Sequence, residues 1–413
     1  MDPNRLRWWV LALVSIGIGG NYYVYDSIAP VADLLHGRAG LSQSQIGMLN
    51  AVFSLPNIPL ALVGGVSIDR FGAARTALGA ALLCFVGAVL TAIGTPYGVM
   101  LIGRLLFGIG EETLLIALLA ALAGWFAATT GMALAMSLFF SLARVGSYCA
   151  DTSPGWAPGA YAASWAPPLW MAAGFSFASL LAIGGYWILD RRRLSSRTGA
   201  ADEARLLTIR DLTQFDLSFW YILALNVLFA SVFFPFRSTF AIEYFQHARR
   251  LTLAQAGMVN SWVFFAAIFA TPLFGFVADR FGHRAMLLTL GAGLMAMAFV
   301  VLGATHWSLW ISTAIMGLSF SMVPAVIWPA TTMLVEPRRL GAALGLVNVL
   351  QNLGLAISNL AAGALNDAYH AGPANPGGYT PMLSMFGFLS LTAFTAVVLL
   401  WRRESGPHGH GLN

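Results

Sequence analysis

Two charged residues in the apolar part of this sequence have the types and positions needed to bind a charged solute. Glu112 and Arg144 lie deep in two consecutive apolar stretches, each about thirteen residues, or roughly 20 Å of helix, from an end. An ionisable group at such a depth in a membrane is costly unless it is paired or hydrated, and is therefore a functional candidate. Glu112 could take the ammonium group of a zwitterion, and Arg144 its carboxylate through a two-pronged contact. The alternative is a structural ion pair that joins two helices.

A second pair of charged residues could move a proton. Glu111 precedes Glu112 and projects about 100° away from it around a helix, so we expect it on a different face. It could pair with Arg104 on the same stretch or carry a proton. Glu111 and Arg104 are therefore candidates for proton coupling, although no second carboxylate suggests a relay.

Aromatic and amide side chains could complete a substrate pocket, because they combine an apolar face with a hydrogen-bonding tip. These candidates are Tyr22, Tyr23, Tyr25, Trp328, Gln351 and Asn352. Trp328 is followed by Pro329, which leaves a backbone carbonyl without its helical partner. Packing in the protein core is the alternative for each of them.

Helices that cross a membrane must position these residues. Hydrophobic residues make up 58% of the 413 residues, charged residues only 9%, and the mean hydropathy is +0.74. That leaves too few ionic groups to coat a soluble protein of this size. Apolar runs of about twenty residues, each long enough to cross a hydrocarbon core of roughly 30 Å, recur along the chain. The sequence predicts an all-α membrane protein with twelve transmembrane helices. In chain order, the predicted spans lie near 8–28, 44–67, 74–95, 97–125, 131–153, 165–190, 217–245, 252–276, 283–304, 307–335, 340–366 and 379–402.

The positions of the arginines predict the orientation of the chain. The sequence has no lysine, and among the loop arginines only Arg38, Arg249 and Arg250 fall on one side of the twelve-helix arrangement. Because loops rich in basic residues stay in the cytoplasm, both termini are predicted to be cytoplasmic. The formal charge of +5 thus reflects topology, and basic residues scattered over short loops argue against binding of nucleic acid.

A repeated segment indicates that the chain has two similar halves. Gly65–Arg75 and Gly275–Arg284 each contain a glycine, then Asp-Arg, then a second glycine that permits a tight turn with positive φ. Such internal repeats are typical of transporters. We predict an N-terminal six-helix half at 1–190, a polar cytoplasmic linker at 191–216 and a C-terminal six-helix half at 217–413, related by pseudo-two-fold symmetry.

These two segments resemble the Asp-Arg loop signature of the major facilitator superfamily, and Gly103–Gly110 resembles its fourth-helix motif. The resemblance covers essentially the whole chain. It implies alternating access, in which two halves rock about a site at the membrane midplane. It also implies that Asp69, Arg70, Asp279 and Arg280 latch helices on the cytoplasmic side; a simple tight turn is the alternative.

A narrower resemblance is to the lysosomal dipeptide transporter branch of that superfamily. It rests on Tyr22–Asp26, Phe53–Asn57, Phe107–Thr113, Ser141–Ser147, Ile327–Pro329 and Gln351–Ala356. This resemblance implies transport of short peptides whose termini are held by Glu112 and Arg144. The chain lacks an acidic dileucine sorting signal near its N-terminus, and its composition suits a GC-rich bacterial gene. We therefore expect a bacterial relative in the inner membrane.

Asp26 and Arg237 could form a gate. The offset that superimposes Asp69 on Asp279 places Asp26 one residue from Arg237, and the superfamily resemblance implies that their helices meet at the outer mouth. A salt bridge there would break when the cavity opens outward. Solvated charges at the rim are the alternative.

Two other functions are weighed against peptide transport. A proton-driven drug exporter would carry a Gly-Pro-rich motif in the fifth helix, where this chain has Arg144. The sequence does not favour a membrane enzyme or sensor, because it lacks a His-Glu-x-x-His zinc-binding helix, a Gly-x-Ser-x-Gly nucleophile elbow and a Walker loop with its lysine. We expect no catalytic residue, cofactor or metal, and a monomer that binds a small molecule in the lipid bilayer; the sequence identifies no accessory subunit.

Overall fold

The computed structural model describes residues 3–57, 67–68, 70–126, 132–191, 215–304, 309–336, 339–407, 409–410 and 412. Within these ranges the regular elements are helices, and no strand is present. The helices of the first half are α1 (Pro3–Asp26), α2 (Ala32–Ala39), α3 (Gln43–Ser54), α4 (Ala73–Ile93), α5 (Tyr97–Phe126), α6 (Met132–Trp156), α7 (Pro158–Ala163) and α8 (Ala166–Arg191). Those of the second half are α9 (Leu217–Pro235), α10 (Ala241–Arg249), α11 (Leu253–Phe281), α12 (Arg284–Ala304), α13 (Leu309–Leu334), α14 (Leu340–Ala368) and α15 (Thr380–Glu404).

A helix occupies the described part of every predicted span. Nine candidate membrane spans are found among the described residues, counting α9 and α10 together as one. The first, second and fifth predicted spans are not among the nine. Of these, α1 and α6 carry charged and polar residues within their apolar stretches, and α3 leads into residues 58–66, which lie outside the described part of the chain.

Local sequence signals explain where several helices begin. Asp216 caps α9 by accepting the amide hydrogen of Ser218 at 2.7 Å. Thr252 and Gln255 form a reciprocal capping box at the start of α11. Asp216 also forms a 2.8 Å salt bridge with Arg403 at the end of α15. Burial alone would raise the pKa of Asp216, but the Ser218 amide and the Arg403 guanidinium hold it below its usual value.

The chain folds into two compact units. Unit 1 comprises Met1–Gly40 and Val52–Ala204, and unit 2 comprises Leu41–Ala51 and Arg205–Asn413. In unit 1, α1 packs against α6 and α8, and α4 packs against α5 and α8. In unit 2, α9 packs against α14 and α15, and α12 packs against α13 and α15. Equivalent helices of the two repeats therefore make equivalent contacts.

The repeated glycine turns also match. Gly72 has a φ of 81° and Gly282 a φ of 67°, as the sequence predicts for tight turns. The amide of Gly72 bonds to the Ile68 carbonyl at 2.8 Å, and that of Gly282 to the Ala278 carbonyl at 3.1 Å. Both turns close the preceding segment with the same four-residue spacing.

The helix of the seventh predicted span is interrupted after Pro235. A single π-helical turn, Phe236–Phe240, separates α9 from α10. This turn directly follows Pro235 and carries Arg237.

Candidate functional site

Arg144 is positioned in unit 1 by a close approach of α1 and α6. Its guanidinium carbon lies 5.2 Å from the centroid of the Tyr22 ring, a distance suited to a cation–π contact. Two residues further along α6, a Cβ atom on Gly146 would overlap the Gly19 carbonyl oxygen of α1. Glycine at this point therefore allows the two helices to approach closely enough for Arg144 to lie over Tyr22.

Ionisable side chains gather around this contact. Tyr22 lies within electrostatic range of Arg144, Glu112, Glu111 and Asp26. Glu111 interacts in turn with Glu112, Arg144, Arg104 and Asp26. We call this group the charged cluster; its members are Tyr22, Asp26, Arg104, Glu111, Glu112 and Arg144. The structure thus brings together three of the predicted substrate ligands of the first half, the predicted gate residue Asp26 and the candidates for proton coupling.

Burial divides the charged cluster into two sets. Asp26 and Arg104 are each 1% exposed and Glu111 is 7% exposed. Glu112, Arg144 and Tyr22 are only partly buried. Within the charged cluster, the three side chains predicted to bind substrate are therefore the ones that retain accessible surface. The different burial of Glu111 and Glu112 agrees with their predicted positions on different faces of the helix.

Arg104 is held by backbone groups and by aromatic rings. Its guanidinium donates to the carbonyl oxygens of Val24 at 3.3 Å and Tyr25 at 3.4 Å, near the end of α1. Its guanidinium carbon also lies 5.4 Å from the ring centroid of Phe53 and 5.5 Å from that of Phe107. Arg104 thus contributes a buried, hydrogen-bonded positive charge to the cluster.

The three tyrosines of α1 have different surroundings. Tyr23 is 1% exposed and stacks on Phe175 of α8 at a centroid distance of 4.0 Å, so it packs between helices. Tyr25 packs against Phe53 at 4.8 Å. Tyr22 contacts Arg144. Of the three tyrosines, Tyr22 is therefore the one whose ring lies against a predicted substrate ligand.

The predicted pocket residues of unit 2 lie among uncharged amides. Asn226 of α9 donates to Gln351 of α14 at 2.8 Å. Asn352, which is 4% exposed, donates to the Asn348 side chain at 2.6 Å. Trp328 of α13 is 42% exposed. These residues supply hydrogen-bonding groups and an aromatic surface without formal charge.

Arg237 is fully buried in unit 2. Its guanidinium carbon lies 3.9 Å from the centroid of the Phe264 ring. Its carbonyl oxygen accepts a hydrogen bond of 3.2 Å from Asn260. The predicted partner, Asp26, is a buried member of the charged cluster in unit 1.

The loop residues are described only in part. Arg70 and Arg280 are exposed, and each guanidinium lies beside the ring of the next residue, Phe71 or Phe281. Asp69 and the side chain of Asp279 lie outside the described part of the chain. The predicted latch therefore remains a prediction.

Two residues of interest were missed from sequence. Asp151 is fully buried in α6, and it follows Arg144 by seven residues, a spacing that places both on the same helical face. That spacing could have identified it. Asn226 is an isolated amide in an apolar run, and nothing in the sequence pairs it with Gln351.

Comparisons with known proteins agree with this architecture. A model of the Major Facilitator Superfamily matches residues 11–247 and 219–412. The lysosomal dipeptide transporter MFSD1 of Danio rerio is 31% identical, covering 100% of this chain and 90% of the relative. MFSD1 of Mus musculus is 28% identical, covering 98% and 89%.

Solved structures show the same fold at low sequence identity. The nucleoside transporter NupG has a TM-score of 0.75 with 12% identity, covering 95% of this chain and 99% of NupG. A bacterial homologue of the human lysosomal transporter Spinster, in an inward-facing and occupied conformation, has a TM-score of 0.69 with 17% identity, covering 96% and 97%. The predicted all-α membrane fold of two six-helix halves is confirmed.

Proposed function

Since the chain belongs to the major facilitator superfamily, and is therefore a multi-pass membrane transporter and not an enzyme, we propose that its substrates are short peptides, above all dipeptides. The observation that carries this proposal is the charged cluster, in which Glu112 and Arg144 retain accessible surface close to Tyr22. The names of the MFSD1 relatives support the same class of substrate.

A dipeptide is recognised by its two charged ends. The Arg144 guanidinium offers parallel donors to the substrate carboxylate, and Glu112 accepts from the ammonium group. Before substrate binds, the Tyr22 ring and the carboxylates of the cluster compensate the charge of Arg144. If Glu112 and Arg144 formed only a structural ion pair, their accessible surface would not strengthen that pair, because water weakens the attraction between the two charges.

The amides of unit 2 suit the uncharged parts of a peptide. Gln351 and Asn352 can donate and accept hydrogen bonds, and Trp328 offers an apolar face. We assign these three residues to the same substrate, together with Tyr22, Tyr23 and Tyr25.

The net charge of the charged cluster favours binding of one proton. The cluster contains three carboxyl groups, of Asp26, Glu111 and Glu112, and two guanidiniums, of Arg104 and Arg144. With every group ionised it carries one surplus negative charge, and a zwitterion adds none. A proton on the buried Glu111, held near Arg104, would neutralise the surplus. We propose this pair for proton coupling.

Transport proceeds by alternating access in this proposal. Asp26 and Arg237 form the outer gate, and Asp69, Arg70, Asp279 and Arg280 form the cytoplasmic latch. The repeat offset and the burial of Asp26 and Arg237 support the gate. The protein is placed in a bacterial inner membrane with both termini cytoplasmic, because of its loop arginines and its lysine-free composition.

Counterflow in liposomes tests the proposal. Purified protein is reconstituted with internal dialanine, and uptake of labelled dialanine, alanine and a cationic dye is measured with and without a pH gradient. Uptake of dialanine above that of alanine is expected, and stimulation by an inward proton gradient would support coupling through Glu111. Uptake of the dye alone would overturn the peptide assignment in favour of drug export.

A further inference from the structure

The π-helical turn Phe236–Phe240 has an unusual set of polar partners. A π turn inserts an extra residue into a helix and disturbs the regular ladder of hydrogen bonds. Pro235, directly before it, has no amide hydrogen to donate. Carbonyl groups that the π turn displaces from the ladder are costly inside a membrane unless other groups bond to them.

Asparagine side chains from two other helices supply those bonds. Asn260 of α11 donates to the Arg237 carbonyl at 3.2 Å, and Asn50 of α3 donates to the Ser238 carbonyl at 3.1 Å. All of these residues belong to unit 2. The turn is therefore held in place by specific partners, which fixes the backbone that carries Arg237.

The Arg237 side chain is fixed by the same face of α11. Its guanidinium carbon lies 3.9 Å from the centroid of Phe264, one helical turn after Asn260. Arg237 is 0% exposed and Phe264 is 1% exposed, so water does not weaken the cation–π contact.

The Phe264 ring is itself held by neighbouring rings. Its centroid lies 5.5 Å from that of Phe320 and 6.1 Å from that of Phe233 in edge-on geometry, and those two rings stack on each other at 4.0 Å. The ring therefore offers its face to Arg237 in one fixed orientation.

We propose that Phe264 and Asn260 are positioning residues for Arg237. Asn260 holds the backbone of the π turn, and the face of Phe264 holds the guanidinium. This inference rests on the proposed gating role of Arg237, and it names the residues that hold Arg237 in position for that role. Phe264 stabilises this position of the Arg237 guanidinium, so loss of its ring face changes the rate at which the gate opens, whereas loss of ring volume alone does not.

A double-mutant cycle tests this inference. Dialanine exchange in liposomes is measured for Phe264→Leu, Phe264→Tyr, Arg237→Gln and the double variant Phe264→Leu/Arg237→Gln. Phe264→Leu is expected to change the maximal exchange rate by about 3-fold to 30-fold, the range of a cation–π contact in a desolvated site. Phe264→Tyr keeps an aromatic face, so its exchange rate should stay within about twofold of that of the unmodified protein. In the Arg237→Gln background, the effect of Phe264→Leu should disappear.

Phe265→Leu is the matched control, because this neighbouring ring is 40% exposed and packs against Trp262. It should leave exchange unchanged. Melting temperatures of all variants are measured, and Phe264→Met replaces Phe264→Leu if the latter does not fold.

The possible results separate the two proposals. If Arg237→Gln exchanges dialanine like the unmodified protein, the gating role of Arg237 fails. If Arg237→Gln impairs exchange but Phe264→Leu has no effect, or the same effect in both backgrounds, the positioning role of Phe264 is overturned and the gate survives.

Discussion

Among single residues, Arg144 and Arg104 show how one side-chain type takes two roles. Arg104 is almost fully buried and donates to backbone carbonyls, so its charge is fixed. Arg144 lies over a tyrosine ring and keeps accessible surface. In the proposed mechanism, Arg144 exchanges its contact with Tyr22 for one with an incoming carboxylate, whereas Arg104 would lose two backbone hydrogen bonds if it moved.

Arg144→Lys tests the two-pronged contact. Lysine keeps the charge but lacks the planar fork, so we expect the KM for dialanine exchange to rise by roughly tenfold or more. Arg144→Ala should abolish exchange while the protein still inserts and folds. Arg402→Lys, at an exposed position on α15, is the matched control. An unchanged KM in Arg144→Lys would remove the fork from the recognition mechanism.

At the scale of helices, the packing of α1 against α6 determines where Arg144 lies. The close approach of α1 and α6 depends on Gly146, where any side chain would overlap the Gly19 carbonyl. The same α1–α6 packing recurs in unit 2 as α9 against α14, where two amide pairs occur instead of charges. The duplicated scaffold thus supports a charged surface in one unit and a neutral polar surface in the other.

Gly146→Ala tests the role of this packing. The added methyl group must push α1 and α6 apart, so we expect a loss of stability on the order of 1–3 kcal/mol and slower exchange. Gly155→Ala in the same helix is the control, because a Cβ atom there meets no neighbour within 4 Å. Equal melting temperatures for the two variants would contradict the close approach.

The cap of α9 gives a pH-dependent prediction. The pKa of Asp216 is lowered in the folded protein, so its contribution to stability is present at neutral pH and is lost as the pH falls through the folded pKa. Asp216→Asn should lower the free energy of unfolding at pH 7 by at most about 1 kcal/mol, because the pair with Arg403 is partly exposed, and the melting temperature should fall slightly with it. The difference from the unmodified protein should shrink as the pH is lowered below the ordinary aspartate pKa of about 3.9. A difference that persists in acid would argue against the ionic contribution.

For the whole molecule, the arrangement of arginines predicts a single orientation. Gly37→Cys and Ser405→Cys are introduced separately at exposed positions into a Cys84→Ala/Cys149→Ala background. With both termini cytoplasmic, an impermeant maleimide added to intact cells should label Gly37→Cys and not Ser405→Cys. The reverse pattern would invert the topology.

The proposed gate also belongs to this scale. Asp26→Asn removes one charge of the gate, so the protein should populate outward-open forms more often. Cysteine accessibility along the outer ends of α1 and α9 measures the change. Accessibility identical to that of the unmodified protein would refute a gate at Asp26.

The sequence alone determined the membrane fold with its two similar halves, and it predicted the depth of Glu112 and Arg144. Apolar run lengths, the repeated Asp-Arg segments and the positions of Glu112 and Arg144 are all local or periodic signals, and each follows from the geometry of a single helix. The resemblance to peptide transporters also rests on short segments. These features can therefore be recognised before any helices are packed together.

Tertiary structure decided which side chains face each other. It separated Tyr22, beneath Arg144, from Tyr23, which packs against Phe175. It also placed Phe264 over Arg237, although these residues lie on different helices. Such contacts depend on the rotation and spacing of packed helices, set here by glycines and by a π turn. A helical period gives the face of each residue relative to its own axis, but not which neighbouring helix that face meets.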